Sequence, residues 1–153
     1  MEQIGPKGMR GSAPARIDDK GRLKVPTLFR ADIQDHRGPD VFVTSIKGDC
    51  VRIYPMPVWL EIERKLSAMP GNHPSRVRFL AAVNYFGQPS ELDVQGRIVI
   101  PPQLRTSASI VGEVRVFGHI DYLEVWNEEL FVKKLHADPL TDDDALRLAE
   151  YGV

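Results

Sequence analysis

Apolar and polar positions alternate at two places in the chain, and the two places spell one pattern. In "RLKVP", Leu23 and Val25 alternate with Arg22 and Lys24; in "RIVIP", Ile98 and Ile100 alternate with Arg97 and Val99. A period of two predicts short strands with one apolar face. Each run follows an Asp-x-x-Gly turn, where Gly21 and Gly96 supply the positive φ that a tight turn requires. Each ends in a proline, which cannot continue a central strand but suits the first turn of a helix. "PARID" and "SELDV" are therefore predicted as strands entering the turns, and "TLFRADI" and "PQLRTSA" as helices of one to two turns. "DVFVTSI" and "CVRIYP" alternate likewise and predict a hairpin turning at Lys47-Gly48-Asp49; "EVRVFGHIDYLEVWN" predicts a second.

Helical spacing governs the stretches in between. Pro57 to Leu66 places Trp59, Ile62 and Leu66 on one face, and Ser75 to Phe86 carries a predicted core stripe of Phe79, Val83 and Phe86. "LFVKKLH" is a further short helix. Thr141 is predicted to cap a last one, whose first turn, Asp142-Asp143-Asp144, is well placed against the helix dipole.

The likeness between the two runs extends far beyond them. A shift of 75 residues aligns Ile17 with Leu92, Asp18 with Asp93, Gly21 with Gly96, Arg22 with Arg97, Pro26 with Pro101, Phe29 with Leu104 and Arg30 with Arg105. A shift of 72 then aligns "CVRIYP" with "YLEVWN". A unit of this size has difficulty burying its apolar face alone. Two copies that interleave their strands solve the problem. The predicted fold class is thus α+β and β-rich, with a pseudo-twofold repeat and flanking helices. Residues 9–68 form the first repeat with its following helix, and 75–136 the second helix and second repeat, both packed as one domain; 137–153 form an acidic tail.

Composition narrows the setting. Of 153 residues, 42% are hydrophobic and 27% charged, the balance of a soluble globular protein. No apolar run approaches the ~20 residues of a membrane span, and "MEQIGPKGMRGS" lacks the apolar core of a signal peptide. With Cys50 as the one cysteine, no intrachain disulfide framework exists, which fits a reducing, cytoplasmic interior. The net charge of −1 hides an asymmetry. Residues 1–30 hold seven cations (Lys7, Arg10, Arg16, Lys20, Arg22, Lys24, Arg30) against three acids, whereas 121–153 hold nine acids against Lys133, Lys134 and Arg147. A basic head is either solvated surface or the footprint of an anionic partner.

Chemistry points to binding rather than catalysis. Cys50 falls in a predicted strand with no histidine near it in sequence, and His36, His73, His119 and His136 are scattered without metal-ligand spacing. "KGMRGS" has two glycines but no Gly-Lys-Ser/Thr to cradle phosphate. No cofactor, metal or small-molecule ligand is expected. In the repeated turn, Asp18 and Asp93 stand four residues before Arg22 and Arg97, as ion pairs that clamp the bend. An arginine oriented by a carboxylate presents its remaining donors in a fixed direction, suited to phosphate or a guanine edge. Lys20, Lys24, Arg16 and Arg10 add charge near the first turn. The second has Gln95, Val99 and Glu91 in place of Lys20, Lys24 and Arg16, so the first turn is expected to dominate, with Arg97 mainly structural.

"RGSAPARIDDKGRLKVPTLFR", "YPMPVWLEIERKL" and "ELDVQGRIVIPPQLR" together resemble the MraZ family of bacterial transcriptional regulators over roughly residues 9–136. The resemblance implies two SpoVT-AbrB-like units in a double swapped-hairpin arrangement, and ring-shaped homo-oligomers. It implies repression through short direct repeats in the promoter of the division and cell-wall gene cluster, at the nucleoid. It also maps a DNA-binding arginine onto Arg22, with Arg97 its repeat partner. The family begins near Met9, so "MEQIGPKG" reads as an extension, a wrong start or a remnant of cloning. The alternative is a structural or interaction ring whose acidic tail binds a protein partner, DNA binding being secondary.

Overall fold

The computed structural model describes residues 8–153; Lys7 of the basic head lies outside them, as does the side chain of His36. The strands are β1 (Ser12–Arg16), β2 (Arg22–Lys24), β3 (Asp40–Thr44), β4 (Val51–Pro55), β5 (Gln88–Glu91), β6 (Arg97–Val99), β7 (Glu113–Gly118) and β8 (Leu123–Trp126). The α-helices are α1 (Thr27–Ala31), α2 (Met56–Ser67), α3 (Pro74–Phe86), α4 (Pro102–Ala108), α5 (Glu128–Ala137) and α6 (Asp142–Ala149). The α+β class and the tandem repeat are as the hydrophobic pattern predicts.

The repeats exchange strands. Six strands make one antiparallel sheet in the order β1-β7-β8-β4-β3-β5, so each repeat keeps its own hairpin and lends its first strand to the other. The pseudo-twofold axis passes between β4 and β8, where Arg52 faces Glu124. Arg52 Nε lies 3.3 Å from Glu124 Oε2, and Trp126 Nε1 donates to Glu124 Oε1 at 2.7 Å. The remaining strands, β2 and β6, pair with each other as an antiparallel ribbon.

The core lies between this ribbon and one face of the sheet. Leu23, Val25, Ile98 and Ile100 point into it from the ribbon; Val43, Ile53, Val116 and Val125 meet them from the sheet. Pro26 and Pro101 start α1 and α4 at φ −56 and −58, the value the pyrrolidine ring fixes, and these helices insert Phe29 and Leu104 at equivalent points. The opposite sheet face is also covered. Trp59 of α2 stacks on Phe42 at 4.6 Å, Val83 of α3 is buried beside them, and Phe131 of α5 packs against Phe117 and Trp126. Burial on both faces explains why β3 is apolar without interruption from Val41 to Val43.

One element runs longer than its sequence suggests. The helix over "TLFRADI" continues through a π-helical turn, Asp32–Arg37. Arg37 Nε meets Asp32 Oδ2 at 3.1 Å, an i,i+5 pair that matches the i,i+5 bonding of a π turn, and Ile33 is buried beneath it. The predicted cap at Thr141 is a full capping box: Asp144 N–H donates to Thr141 Oγ1 and Thr141 N–H to Asp144 Oδ2, each at 3.0 Å.

Candidate nucleic-acid interface

The two Asp-x-x-Gly-Arg turns close in the same way. Lys20 N–H and Arg22 N–H donate to Asp18 Oδ1 at 3.0 and 2.9 Å, and Arg22 Nε reaches Oδ2 at 2.7 Å. In the second turn, Gln95 N–H and Arg97 N–H donate to Asp93 Oδ1 at 2.9 Å each, and Arg97 Nε reaches Oδ2 at 3.2 Å. The Arg22 backbone N–H, joined by its guanidinium and by Lys20 N–H, holds the Asp18 carboxyl below the usual carboxylate range; the Arg97 backbone N–H leads the same effect on Asp93. Both carboxylates are ionised clamps. Among the described residues each engages only Nε of its arginine's guanidinium, so the terminal nitrogens stay available.

Glycine is required at the bend for two reasons. Gly21 and Gly96 sit at φ 81 and 79. Each is also covered by an arginine of the other repeat. A Cβ on Gly21 would lie 2.7 Å from Arg105 Cζ, and one on Gly96 would run into Arg30 Cζ and Nε. Arg30 Nε donates to Val25 O at 3.2 Å and Arg105 Nε to Ile100 O at 3.1 Å, so each arginine ties its own strand end to its neighbour's turn. The repeat aligns Arg30 with Arg105, and their persistence at that spacing was the available signal for this turn contact.

Pairing of β2 with β6 sets which cations meet. In register, Arg22 opposes Val99, Leu23 opposes Ile98 and Lys24 opposes Arg97. Leu23 and Ile98 are fully buried, so by alternation Arg22, Lys24, Arg97 and Val99 share the outer face. Strand exchange thus moves Lys24 away from its own turn to the end of the ribbon that carries Arg97. Each end then has one clamped arginine and one lysine: Lys20 beside Arg22 at the first turn, Lys24 beside Arg97 at the second. The charge poverty of the second turn in the sequence does not persist in space. Like charges directly opposite one another weaken a strand pair, so Lys24 facing Arg97 is a local cost that an anionic partner would remove.

The other expected cations lie elsewhere. Arg16, at the end of β1, bonds Glu113 across the strand pair at 3.1 Å in an exposed setting. Arg10 stands beyond the far end of β1, about 20 Å of extended chain from Arg16, where Met9 and Ile120 exchange backbone bonds of 2.8 Å. The structure gathers Arg22, Lys24 and Arg97 and keeps Lys20 at the tip; Arg16 stands on β1 beside Lys24, where both line one pocket, and Arg10 lies beyond the far end of β1.

Burial pushes the Cys50 thiol well above its ordinary range, so it stays protonated in the core. Among the described residues no cluster of three or more His, Cys, Asp or Glu is arranged to hold a metal ion, and no helix is long and apolar enough to cross a membrane.

The chain matches the family model described as MraZ protein, antitoxin-like, over residues 9–81 and 88–149. It is 44% identical to the transcriptional regulator MraZ of Acidobacterium capsulatum over 144 residues, covering 94% of this chain and 99% of that protein. It is likewise 44% identical to that of Koribacter versatilis over 145 residues, with the same coverage, and 33% identical to that of Psychromonas ingrahamii over 131 residues, covering 85% and 86%.

Proposed function

Since this chain belongs to the MraZ family, we propose that it is a transcriptional repressor that reads DNA with the outer face of the β2/β6 ribbon. The observation that carries this reading is the in-register placement of Lys24 against Arg97, with Arg22 on the same face. A two-stranded ribbon is of a size to enter the major groove, and clamped arginines offer paired donors to guanine edges or phosphates. Arg22 and Arg97 act as positioned readers, Lys24 and Lys20 as phosphate contacts. Arg16, half answered by Glu113, adds a weaker rim contact.

A subunit with net charge −1 and one small cationic face binds DNA weakly alone. A head-to-tail homo-oligomer, closing as a ring, presents several ribbons to successive direct repeats and multiplies affinity without new contact types. The expected target is the promoter of the division and cell-wall gene cluster, and the expected location the nucleoid. Footprinting of the protein on its own upstream DNA, with light scattering on the same sample, tests this: protection at repeated spacing by an assembly of defined mass is expected. Equal affinity for promoter and scrambled duplex at moderate salt overturns it.

A second reading, a structural ring that holds a protein partner by its tail, is favoured by α6. This helix is well capped yet buries no residue, and its Leu146 and the following Tyr151 are exposed. Deleting residues 139–153 separates the readings: both leave DNA affinity unchanged, but repression persists under the first, whereas the principal interaction is lost under the second.

A further inference from the structure

The outer face of the ribbon has four positions, which the repeat relates in two pairs: Arg22 with Arg97, and Lys24 with Val99. The first pair is chemically identical, down to the aspartate clamp. The second is not. Because Val99 opposes Arg22 and Lys24 opposes Arg97, one end of the ribbon sets a guanidinium beside an isopropyl group and the other sets two cations side by side. Val99 is 41% exposed on this cationic side while Ile98 fills the core side, so packing within the chain does not account for it. Directly opposed residues hold their Cβ atoms about 4.5–5.5 Å apart. The Val99 methyls and the Arg22 donors therefore address the same or adjacent base pairs.

We propose that Val99 is a specificity-determining residue, packing on the C5-methyl of a thymine beside the base pair that Arg22 engages. The proposal rests on the DNA-reading function above and deepens it. The thymine methyl is the apolar group that the major groove displays, and an aliphatic side chain is its natural complement. The difference between Lys24 and Val99 also gives the ribbon a direction. With four matching corners, a half-turn would leave the reading face unchanged, and the ribbon would fit either orientation of a site. With Val99 at one end and Lys24 at the other, only one orientation satisfies both. A directional reader suits sites repeated head to tail rather than inverted.

The test titrates wild type and Val99→Ala against three duplexes of equal length: the protein's own upstream promoter DNA, the same DNA with every thymine replaced by deoxyuridine, and a scrambled sequence. Wild type should bind the deoxyuridine duplex about 3–10-fold more weakly than the thymine duplex, as loss of a packed methyl implies. Val99→Ala should differ by less than about 2-fold between the two. Equal sensitivity of Val99→Ala overturns the inference, since the effect would then lie in the DNA. So does promoter preference by wild type with no deoxyuridine effect, which leaves the DNA-reading function standing. Absence of promoter preference overturns both. Val99→Lys repeats the comparison with the residue found at the equivalent corner; it should abolish the deoxyuridine effect, and full retention counts against the proposal even if Val99→Ala folds poorly.

Discussion

The guanidinium of Arg105 lies against Gly21, so close that a methyl group there would sit 2.7 Å from its Cζ. Arg30 makes the same contact with Gly96. Turn and arginine come from different repeats, so the two contacts lock the halves together reciprocally. Gly21→Ala or Gly96→Ala should cost about 1–3 kcal/mol from backbone strain alone at positive φ, with displacement of the arginine added. Thermal melting should show a fall of several degrees. Arg105→Ala alone should destabilise less, because it leaves the turn unstrained.

Protonating the clamps should loosen the ribbon. Asp18 and Asp93 have folded pKa values below their ordinary ones. Their contribution is therefore fully present above the ordinary aspartate range, near pH 4, and is lost as pH falls through the lower folded values. Melting temperature against pH should drop on the acid side of about pH 4. The Asp18→Asn/Asp93→Asn double variant should melt lower at neutral pH and decline less steeply in acid. Parallel acid limbs for the two proteins would show that these clamps carry no such linkage.

Ribbon cations and off-ribbon cations should separate in DNA titrations. Arg22→Ala should lose roughly 1–3 kcal/mol per site if it reads a base. Arg97→Ala should lose a comparable amount, against the expectation drawn from the sequence that the first turn dominates. Lys24→Ala should mainly reduce the slope of log affinity against log salt, by about one unit. Arg10→Ala, beyond the far end of β1, should change little. A gel-shift series at three salt concentrations measures all four.

The tail should be separable from the fold. No residue of α6 is buried. A chain ending at residue 138 should melt within about 2 °C of the full chain, since surface changes remote from packing usually stay within about 0.5 kcal/mol. Circular dichroism melts of both chains at equal concentration check this.

Much of this was legible in the sequence, and for specific reasons. Leu23, Val25, Ile98 and Ile100 alternate with polar residues, and their strands form where that period places them. Pro26 and Pro101 mark the helix starts, and Thr141 the last cap. Pairing was not legible. Nothing local to Lys24 tells that its cross-strand neighbour is Arg97, because the partner strand lies in the other repeat and register follows from tertiary packing. The roles of Arg30 and Arg105 were hidden likewise, since each contacts a turn of the other repeat, 66 and 84 residues away. The π turn after α1 depends on burial of Ile33 and on the Asp32–Arg37 pair, neither of which hydrophobic spacing announces.

The pair at the centre of the sheet has one more implication. Arg52 and Glu124 occupy the same position of the two repeats and stand face to face across the axis. If the first halves of two chains joined, arginine would meet arginine; if two second halves joined, glutamate would meet glutamate, partly withdrawn from water. Only a first half beside a second half brings opposite signs together. The seam therefore sorts unlike halves from like ones by charge, and favours one first half beside one second half over any pairing of identical halves.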